Sequence, residues 1–509
     1  MAINSYFLLF YFLKFILYND IEEGDFMLLN KILNGISYEL IKGSLDTEVL
    51  DICYDSRKVK KGSLFVSLVG FNSDGHDYID KAILFGANVI VVQKDVCIDS
   101  DVTVIKVDDT RKCLSYLAIN FFNHPSDSLT TIAITGTKGK TTTSWMIKNI
   151  LEEDEKSVGV IGTMGVFYGN KHYDTVNTTP ESYEIQKYFR EMVDNGIKYV
   201  VIEVSSQALK VGRVDGMIFD YGIFTNLTRD HIGDGEHSDM EDYIYSKSLL
   251  FNKCKHGIFN IDDEHYSDMT KNAICDIYTF GEKKESNLVI EDVKLMRKEH
   301  FIGIEVTTSG MISDTFLVNT PGTFSAYNSS AAIMVTSLIG CNISSMKRAL
   351  AKVAVKGRVE IVPVSNKYSV IIDYAHNGVS MENILSTIKE YNPKRMVALF
   401  GAGGNRSRDR RYDMGKVAGK YADLTIITED NSRFEDVNDI MNDIEIGIKK
   451  TNGKYIKIPD RTTAIGYALD NAMEGDIILL LGKGHETYMD KKGVKIHYDE
   501  REVIKELLK

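Results

Sequence analysis

Proline is scarce in this 509-residue chain, with six in all, so no proline-rich linker marks a boundary and the divisions must be sought in the order of the motifs. Cysteine is equally sparse: Cys53, Cys97, Cys113, Cys254, Cys275 and Cys341 are scattered, with no CxxC pair. That spacing suits neither a disulfide framework nor a zinc site, and it predicts free thiols in a reducing cytosol. There is no excess of positive charge, since 60 basic residues against 72 acidic ones leave a net charge of −12. This argues against nucleic-acid binding driven by phosphate neutralisation, but leaves room for a local basic pocket that holds a small anion. Internal repeats and low-complexity tracts are lacking too. The one strongly apolar run near a terminus, residues 6–18, falls short of the ~20 residues that span a bilayer. No basic residue precedes it and no small-residue cleavage site follows, which argues against a signal peptide. Residues 1–26 therefore read as a dispensable N-terminal extension, with a packed extra helix or a peripheral membrane anchor as the alternatives, and ordinary domain text begins at Met27.

What is present is globular. The chain is 44% hydrophobic and 26% charged, close to the usual balance, and its length predicts about three domains at roughly 150 residues each. Short apolar runs at 63–67, 89–93 and 103–107 alternate with helical text. The pattern resets near Asn123-His124-Pro125 and resumes with runs at 130–135, 158–161, 199–204, 222–225 and 257–261. A third set, at 369–373, 396–400, 424–428 and 476–481, follows Gly357-Arg358. Strands alternating with helices predict an α/β protein with parallel sheets. Nearly every polar cluster lies just after one of these strands, where open α/β sheets bind their ligands.

The first such cluster is Gly136-Thr137-Lys138-Gly139-Lys140-Thr141-Thr142, set between a strand and a helix. Glycines let backbone N–H groups curl around phosphate oxygens, and the helix N-terminus adds partial positive charge. Lys140 would neutralise the β- and γ-phosphates and the Thr141 hydroxyl would ligate Mg²⁺. Ile134 stands where the usual phosphate-loop pattern has its first glycine. Glu203 ends the next strand, and a carboxylate beside a phosphate loop is a suitable Mg²⁺ ligand. His231, after the following strand, is a candidate for a second Mg²⁺. Lys247, by itself, reads as an exposed lysine.

Together with GTKGKTTT, the segments NTTPES (177–182), EVSSQAL (203–209), TNLTRDHI (225–232), GRVE (357–360), DYAHN (373–377), FGAGGNR (400–406) and LGKGHE (481–486) occur in one order. In that order they resemble the Mur ligases, and among them the branch that adds the third residue of the peptidoglycan stem peptide. The resemblance runs from Met27 to the C-terminus. It implies three domains: a UDP-substrate-binding domain over 27–125, a P-loop ATPase-like central domain over 126–357, and a Rossmann-like amino-acid-binding domain over 358–509. It also implies ATP and Mg²⁺ as cofactors, a cytoplasmic monomer, and an acyl phosphate formed on UDP-N-acetylmuramoyl-L-alanyl-D-glutamate and then captured by a diamino acid.

The resemblance extends to individual residues. It makes Thr141, Glu203 and His231 metal ligands, and Lys247 a carbamylated lysine that joins them as an anion. Asn328, Arg358, Asp373 and His376 match nucleotide-facing positions, beside the loop Gly136–Thr142. Ser56 and the segment Phe71-Asn72-Ser73 match contacts to UDP. Asn177, Thr178, Thr179, Ser205 and Arg213 match contacts to the muramoyl dipeptide. Val211 stands where the family often has glutamine.

The choice of amino acid falls on Asp430-Asn431-Ser432-Arg433. Meso-diaminopimelate carries a far carboxylate that L-lysine lacks, and a planar guanidinium suits it bidentately. The diaminopimelate type usually reads Asp-Asn-Pro-Arg. Here serine replaces the proline, which frees the loop's φ but keeps the charge. Arg411 matches a second carboxylate-binding arginine, and Gly482 and Glu486 match residues that hold the far amino group. Diaminopimelate is therefore expected, with L-lysine the alternative. A folylpolyglutamate synthetase-like ligase is the remoter one, and residues 27–125 argue against it. The intact Lys140, Glu203, His231 and Lys247 argue against an inactive binding module on the same fold.

Overall fold

The structure, a computed structural model, describes residues 26–70, 73–233, 235–298 and 300–509. Phe71, Asn72 and nearly all of the N-terminal extension lie outside the described residues. No described helix is long and apolar enough to cross a membrane.

Three main sheets carry the chain. The first has five strands in the order 39–42, 103–106, 87–92, 63–66, 51–53, all parallel except the edge strand 39–42. The second has 11 strands with Thr130–Thr135 near its middle, flanked by Tyr199–Glu203 and Phe219–Phe224. Neither neighbour is next in sequence, so the chain leaves this strand at a switch in strand order, where a crevice opens beyond the carboxyl ends. Register fixes what meets there: Glu203 pairs with Ile134 and Phe224 with Thr135. Ile132, Ala133 and Ile134 are wholly buried, as expected for a parallel strand covered on both faces. Helix Lys140–Glu153 covers one face through Met146, Ile147, Ile150 and Leu151. Helix Ser182–Asp194 covers the other through Ile185, Phe189 and Met192.

The expected strands are all found, with ends shifted by up to three residues. The parallel sheets expected from the alternation form the core of the fold. Antiparallel strands extend the central sheet at both edges: Gly165–Tyr168 and Lys171–Tyr173 on one side, Phe301–Gly310 and Asp314–Val318 on the other.

The third sheet has six strands in the order 360–362, 369–373, 476–481, 395–400, 424–427, 455–457. Asp373 and Phe400 both pair with Leu481, and Phe400 also with Ile427. Four strands thus end in one row, and the segments that follow them leave the sheet side by side. Arg461 sits beneath this row, fully buried. It donates to the Glu429 and Leu481 carbonyls at 3.1 and 2.9 Å and pairs with buried Glu500 at 2.8 Å. Removing one partner of such a pair strands the other charge and typically costs about 3–5 kcal/mol. Arg461→Ala is expected to lower the denaturation midpoint of the C-terminal sheet accordingly; an unchanged midpoint would show that the pair holds nothing together.

Candidate active site

The phosphate loop folds against the strand end Phe224–Asn226. Thr137 N–H donates to the Asn226 carbonyl at 2.8 Å and Lys138 N–H to Asn226 Oδ1 at 2.9 Å. Two glycines are required by geometry. Gly136 and Gly139 have φ of 149° and 86°, and a Cβ would lie 2.0 Å from Thr225 Oγ1 at the first and 2.4 Å from Asn328 Oδ1 at the second. The second clash also places Asn328 directly behind the loop. Lys140 curls back, with Nζ 2.7 Å from the Gly136 carbonyl and 3.1 Å from that of Thr137.

Glu203 is almost wholly buried, and its carboxylate accepts from Thr141 Oγ1 and Thr163 Oγ1, each at 3.0 Å. Burial pushes its carboxyl up from the usual range, opposed by the charge of Lys140. Burial likewise pushes the Lys140 ammonium down, opposed by Glu203. A hydroxyl and a carboxylate give hard oxygen donors, which suit Mg²⁺. Thr163 escaped the sequence reading although it follows the strand Val158–Gly162; its hydroxyl also meets Thr178 at 3.1 Å.

Lys247 is not the exposed lysine that its local sequence suggests. It is 2% exposed, with Nζ 3.0 Å from the Gly136 carbonyl and 4.6 Å from the centre of the Tyr243 ring. Desolvation, and then the charge of Lys140, hold its ammonium well below the ordinary value. His231 lies in the left-handed region at φ 55°, half exposed, with Nδ1 3.1 Å from Glu236. Among the described residues no group of three or more His, Cys, Asp or Glu is placed to hold a metal. A second metal site here would need a further anion, which a carbamate on Lys247 would supply.

Arg358 and Asp373 reach the same place from the C-terminal sheet. With Thr137–Thr142, Glu203, Thr163 and Thr178 they line a cavity of about 340 Å³. Asp373 is held by Val359 N–H and Ala375 N–H, both at 2.8 Å. His376 is not in this lining. It lines a second cavity of about 120 Å³, with Tyr374, Asp430, Asn431, Arg433, Gly482 and Glu486. The expectation that His376 faces the nucleotide cavity is thus altered by the turn that follows Asp373.

Arg433 enters the second cavity at φ 51°, with Nη1 2.8 Å from the Gly404 carbonyl. Arg411 is not part of the lining. Its guanidinium is buried and engaged by Glu435 at 2.9 Å and Asp443 at 3.0 Å. Arg406 and Arg410 line the cavity instead. Lys483, fully buried, lies under the floor and contacts Glu486 at 3.0 Å, Asn431 Oδ1 at 3.2 Å and Asp430 at 3.5 Å. Gly482 is fixed by crowding, because a Cβ there would lie 2.6 Å from Asp430 Oδ2. Ser432 is buried.

A third cavity, of about 470 Å³, opens on the first sheet. Ser56, Ser73, Tyr54, Arg57, Arg111 and Glu181 are among its walls. Glu181 bridges Arg111 at 3.3 Å and Arg213 at 2.9 Å, and so ties this cavity to the central sheet. Arg213 also donates to the Thr179 carbonyl at 2.9 Å, and Thr179 Oγ1 to the Glu203 carbonyl at 2.9 Å. Ser205 caps a short helix by accepting from Ala208 N–H at 3.2 Å. Asn177 is exposed. The row Ser205–Thr179–Arg213–Glu181 leads from the phosphate loop toward the third cavity.

Three cavities on three α/β layers, the middle one built round a phosphate loop and walled by two layers, define a multidomain nucleotide-dependent enzyme. Comparison with known proteins makes the class definite. Residues 49–122 match the Mur ligase catalytic domain, 134–336 the Mur ligase middle domain and 357–484 the Mur ligase glutamate ligase domain. A UDP-N-acetylmuramoyl-L-alanyl-D-glutamate–2,6-diaminopimelate ligase of Clostridium perfringens (strain 13 / Type A) is 42% identical over 489 residues, 95% of this chain and 99% of that protein. A solved structure named for the same ligase superposes with a TM-score of 0.71 at 25% identity, covering 95% of this chain and 99% of that one. The folylpolyglutamate synthase of Mycobacterium tuberculosis shares the fold at a TM-score of 0.55 and 14% identity, over 72% of this chain and 91% of its own. The chain belongs to the Mur ligase family. It is an ATP-dependent ligase that forms amide bonds.

Proposed function

We propose that the chain joins meso-diaminopimelate to UDP-N-acetylmuramoyl-L-alanyl-D-glutamate with ATP, in the cytoplasm and as a monomer, during peptidoglycan synthesis. The observation that carries this reading is the neighbourhood of two cavities at the turn 373–376. One is walled by the phosphate loop. The other holds Arg406, Arg410 and Arg433 beside Asp430 and Glu486, a charge set that suits a substrate with two carboxylates and two amino groups. The relative in Clostridium perfringens is named for this same reaction.

In this reading residues 27–125 hold the UDP moiety through Ser56 and Ser73, residues 126–357 bind ATP, and residues 358–509 bring the amino acid. Thr178, Thr179, Ser205, Arg213 and Asn177 guide the dipeptide toward the phosphate loop. Lys140 and the loop N–H groups neutralise the γ-phosphate while the substrate carboxylate displaces ADP and becomes an acyl phosphate. Thr141 and Glu203 would hold one Mg²⁺, and His231 with carbamylated Lys247 a second. The metal would add charge neutralisation on the transferring phosphoryl group. Asn328, Arg358 and Asp373 border the nucleotide. The amine then attacks the acyl carbon, and the tetrahedral intermediate collapses to amide and phosphate.

Arg433 sets the choice of amino acid. Its guanidinium, a third exposed and 3.9 Å from Asp490, would gain a bidentate charge-assisted pair with the far carboxylate that L-lysine cannot give, so diaminopimelate should be preferred by at least ~100-fold, about 2.7 kcal/mol. Arg433→Ala should erase most of that preference and mainly raise the KM for diaminopimelate, because the contact is remote from the reacting amine. Amide formation from ATP, the UDP-dipeptide and each amino acid in turn tests both statements. A better rate with L-lysine would mean that Ser432 has reshaped the loop enough to overrule the arginines.

A further inference from the structure

The amine that attacks an acyl phosphate must shed a proton, and the residues so far given roles leave that proton without an acceptor. An amino acid arrives with its nitrogen as an ammonium. One proton passes to solvent before attack; the second becomes acidic as the C–N bond forms and must go to a base within hydrogen-bond reach.

The cavity offers few candidates. Asp430 and Glu486 are both drawn to the Lys483 ammonium, and Glu486 also accepts from Asn431 Nδ2 at 2.9 Å. The Tyr374 phenol is pushed above its ordinary range by burial and is a poor base. His376 differs. Its Nδ1 lies 2.8 Å from the Tyr374 carbonyl, and a carbonyl oxygen only accepts, so Nδ1 carries the hydrogen and Nε2 the lone pair. Among the described residues nothing hydrogen-bonds to Nε2. The residue is held at both ends: Arg410 Nε donates to its carbonyl at 2.7 Å, and its ring meets the edge of Tyr374 at 4.6 Å between centres. It lines the amino-acid cavity, three residues beyond Asp373 in the nucleotide cavity.

We propose that His376 is the general base of the amide-forming step, taking a proton on Nε2 from the attacking nitrogen of the incoming amino acid. The C–N bond forms as Nε2 takes that proton. The C–O bond to phosphorus then breaks, phosphate leaves with the electron pair, and the imidazolium returns its proton to phosphate or solvent. The proposal rests on the acyl-phosphate reading above. The charged groups around the ring are Arg358, Arg406, Arg410, Arg433, Asp430 and Glu486. Burial lowers the imidazole below its ordinary value, and Arg410 and Arg358 add to this, so Nε2 is free to accept a proton at neutral pH.

The test uses the full-length protein with ATP and UDP-dipeptide and offers the acyl phosphate two nucleophiles. Diaminopimelate needs a base within reach, whereas hydroxylamine is weakly basic, so the proton on its nitrogen is acidic enough after C–N bond formation to pass to water. His376→Asn keeps a donor toward the Tyr374 carbonyl but has no Nε2. Amide formation should fall by about 100-fold or more, hydroxamate formation should persist near the wild-type rate, and the acid limb of the wild-type pH profile should vanish. Amide formation close to wild type would overturn the proposal. So would loss of both products in a variant with an unchanged melting temperature, since that places His376 at the phosphoryl step. If His376→Asn unfolds, His376→Gln is read by the same criteria. Absence of hydroxamate with the wild-type protein would instead count against the acyl-phosphate reading itself.

Discussion

Lys140→Ala should abolish amide formation and ADP release, with a loss of at least about 1,000-fold, while the UDP-dipeptide still binds. The loop presents backbone N–H groups to the phosphates, but these are partial charges. Lys140 brings a full positive charge against the loop, with Nζ 2.7 Å from the Gly136 carbonyl. A single neutral donor to a developing oxyanion is already worth about 10²–10³ in rate, and a full charge on the transferring phosphoryl group is worth more. Binding of the UDP moiety is expected to survive because Ser56, Ser73 and Arg111 line a cavity on a different sheet. Calorimetric titration with the UDP-dipeptide, run beside an ADP-release assay, separates the two effects. Near-normal ADP formation would sink the assignment of the loop.

The parts of this site that were legible in the sequence are those that follow buried parallel strands. Such strands read as unbroken apolar runs because both faces are covered, and the polar residues after them stand out. Glu203 and the loop Gly136–Thr142 stand out in this way, whereas the segment Asp430–Arg433, which also follows such a strand, is marked by resemblance to a family. The strands Phe301–Gly310 and Asp314–Val318 were not, because they carry Glu305, Asp314 and several threonines along partly exposed faces. Arg410 and Arg411 show a second limit. Neighbours on the helix Arg408–Tyr421 point about 100° apart. Similarity to a family marks the pair, but only the helix phase decides that Arg410 reaches the cavity while Arg411 turns to Asp443 and Glu435. Lys247 shows a third, since in its helix Met240–Ser248 it falls on the stripe of Met240, Tyr243 and Ile244, and a lysine at the end of such a stripe reads as its solvated edge rather than as a side chain buried against the phosphate loop.

That buried lysine gives the second large effect. Lys247→Ala should be nearly inactive, and millimolar acetate or formate should restore part of the rate. No described carboxylate lies within ion-pair distance of Lys247 Nζ, which meets only the Gly136 carbonyl and the Tyr243 ring. An ammonium buried without a counter-ion is costly, and the group neutralises instead. Its affinity for protons is lowered by burial and by the charge of Lys140, so the free amine is more populated than in an exposed lysine and is lost as pH falls. A free amine adds CO₂ to give a carbamate, which turns this position from a cation into an anion. Such an anion would supply the oxygen ligand that His231 lacks and would relieve the crowding of positive charge beside Lys140. Alanine removes the anion and leaves a gap of matching size. A small carboxylate can enter that gap and present the same two oxygens, whereas chloride at equal ionic strength cannot. A fully active Lys247→Ala enzyme would show that the lysine is dispensable, and rescue by chloride as strong as by acetate would show that no carbamate oxygens are needed.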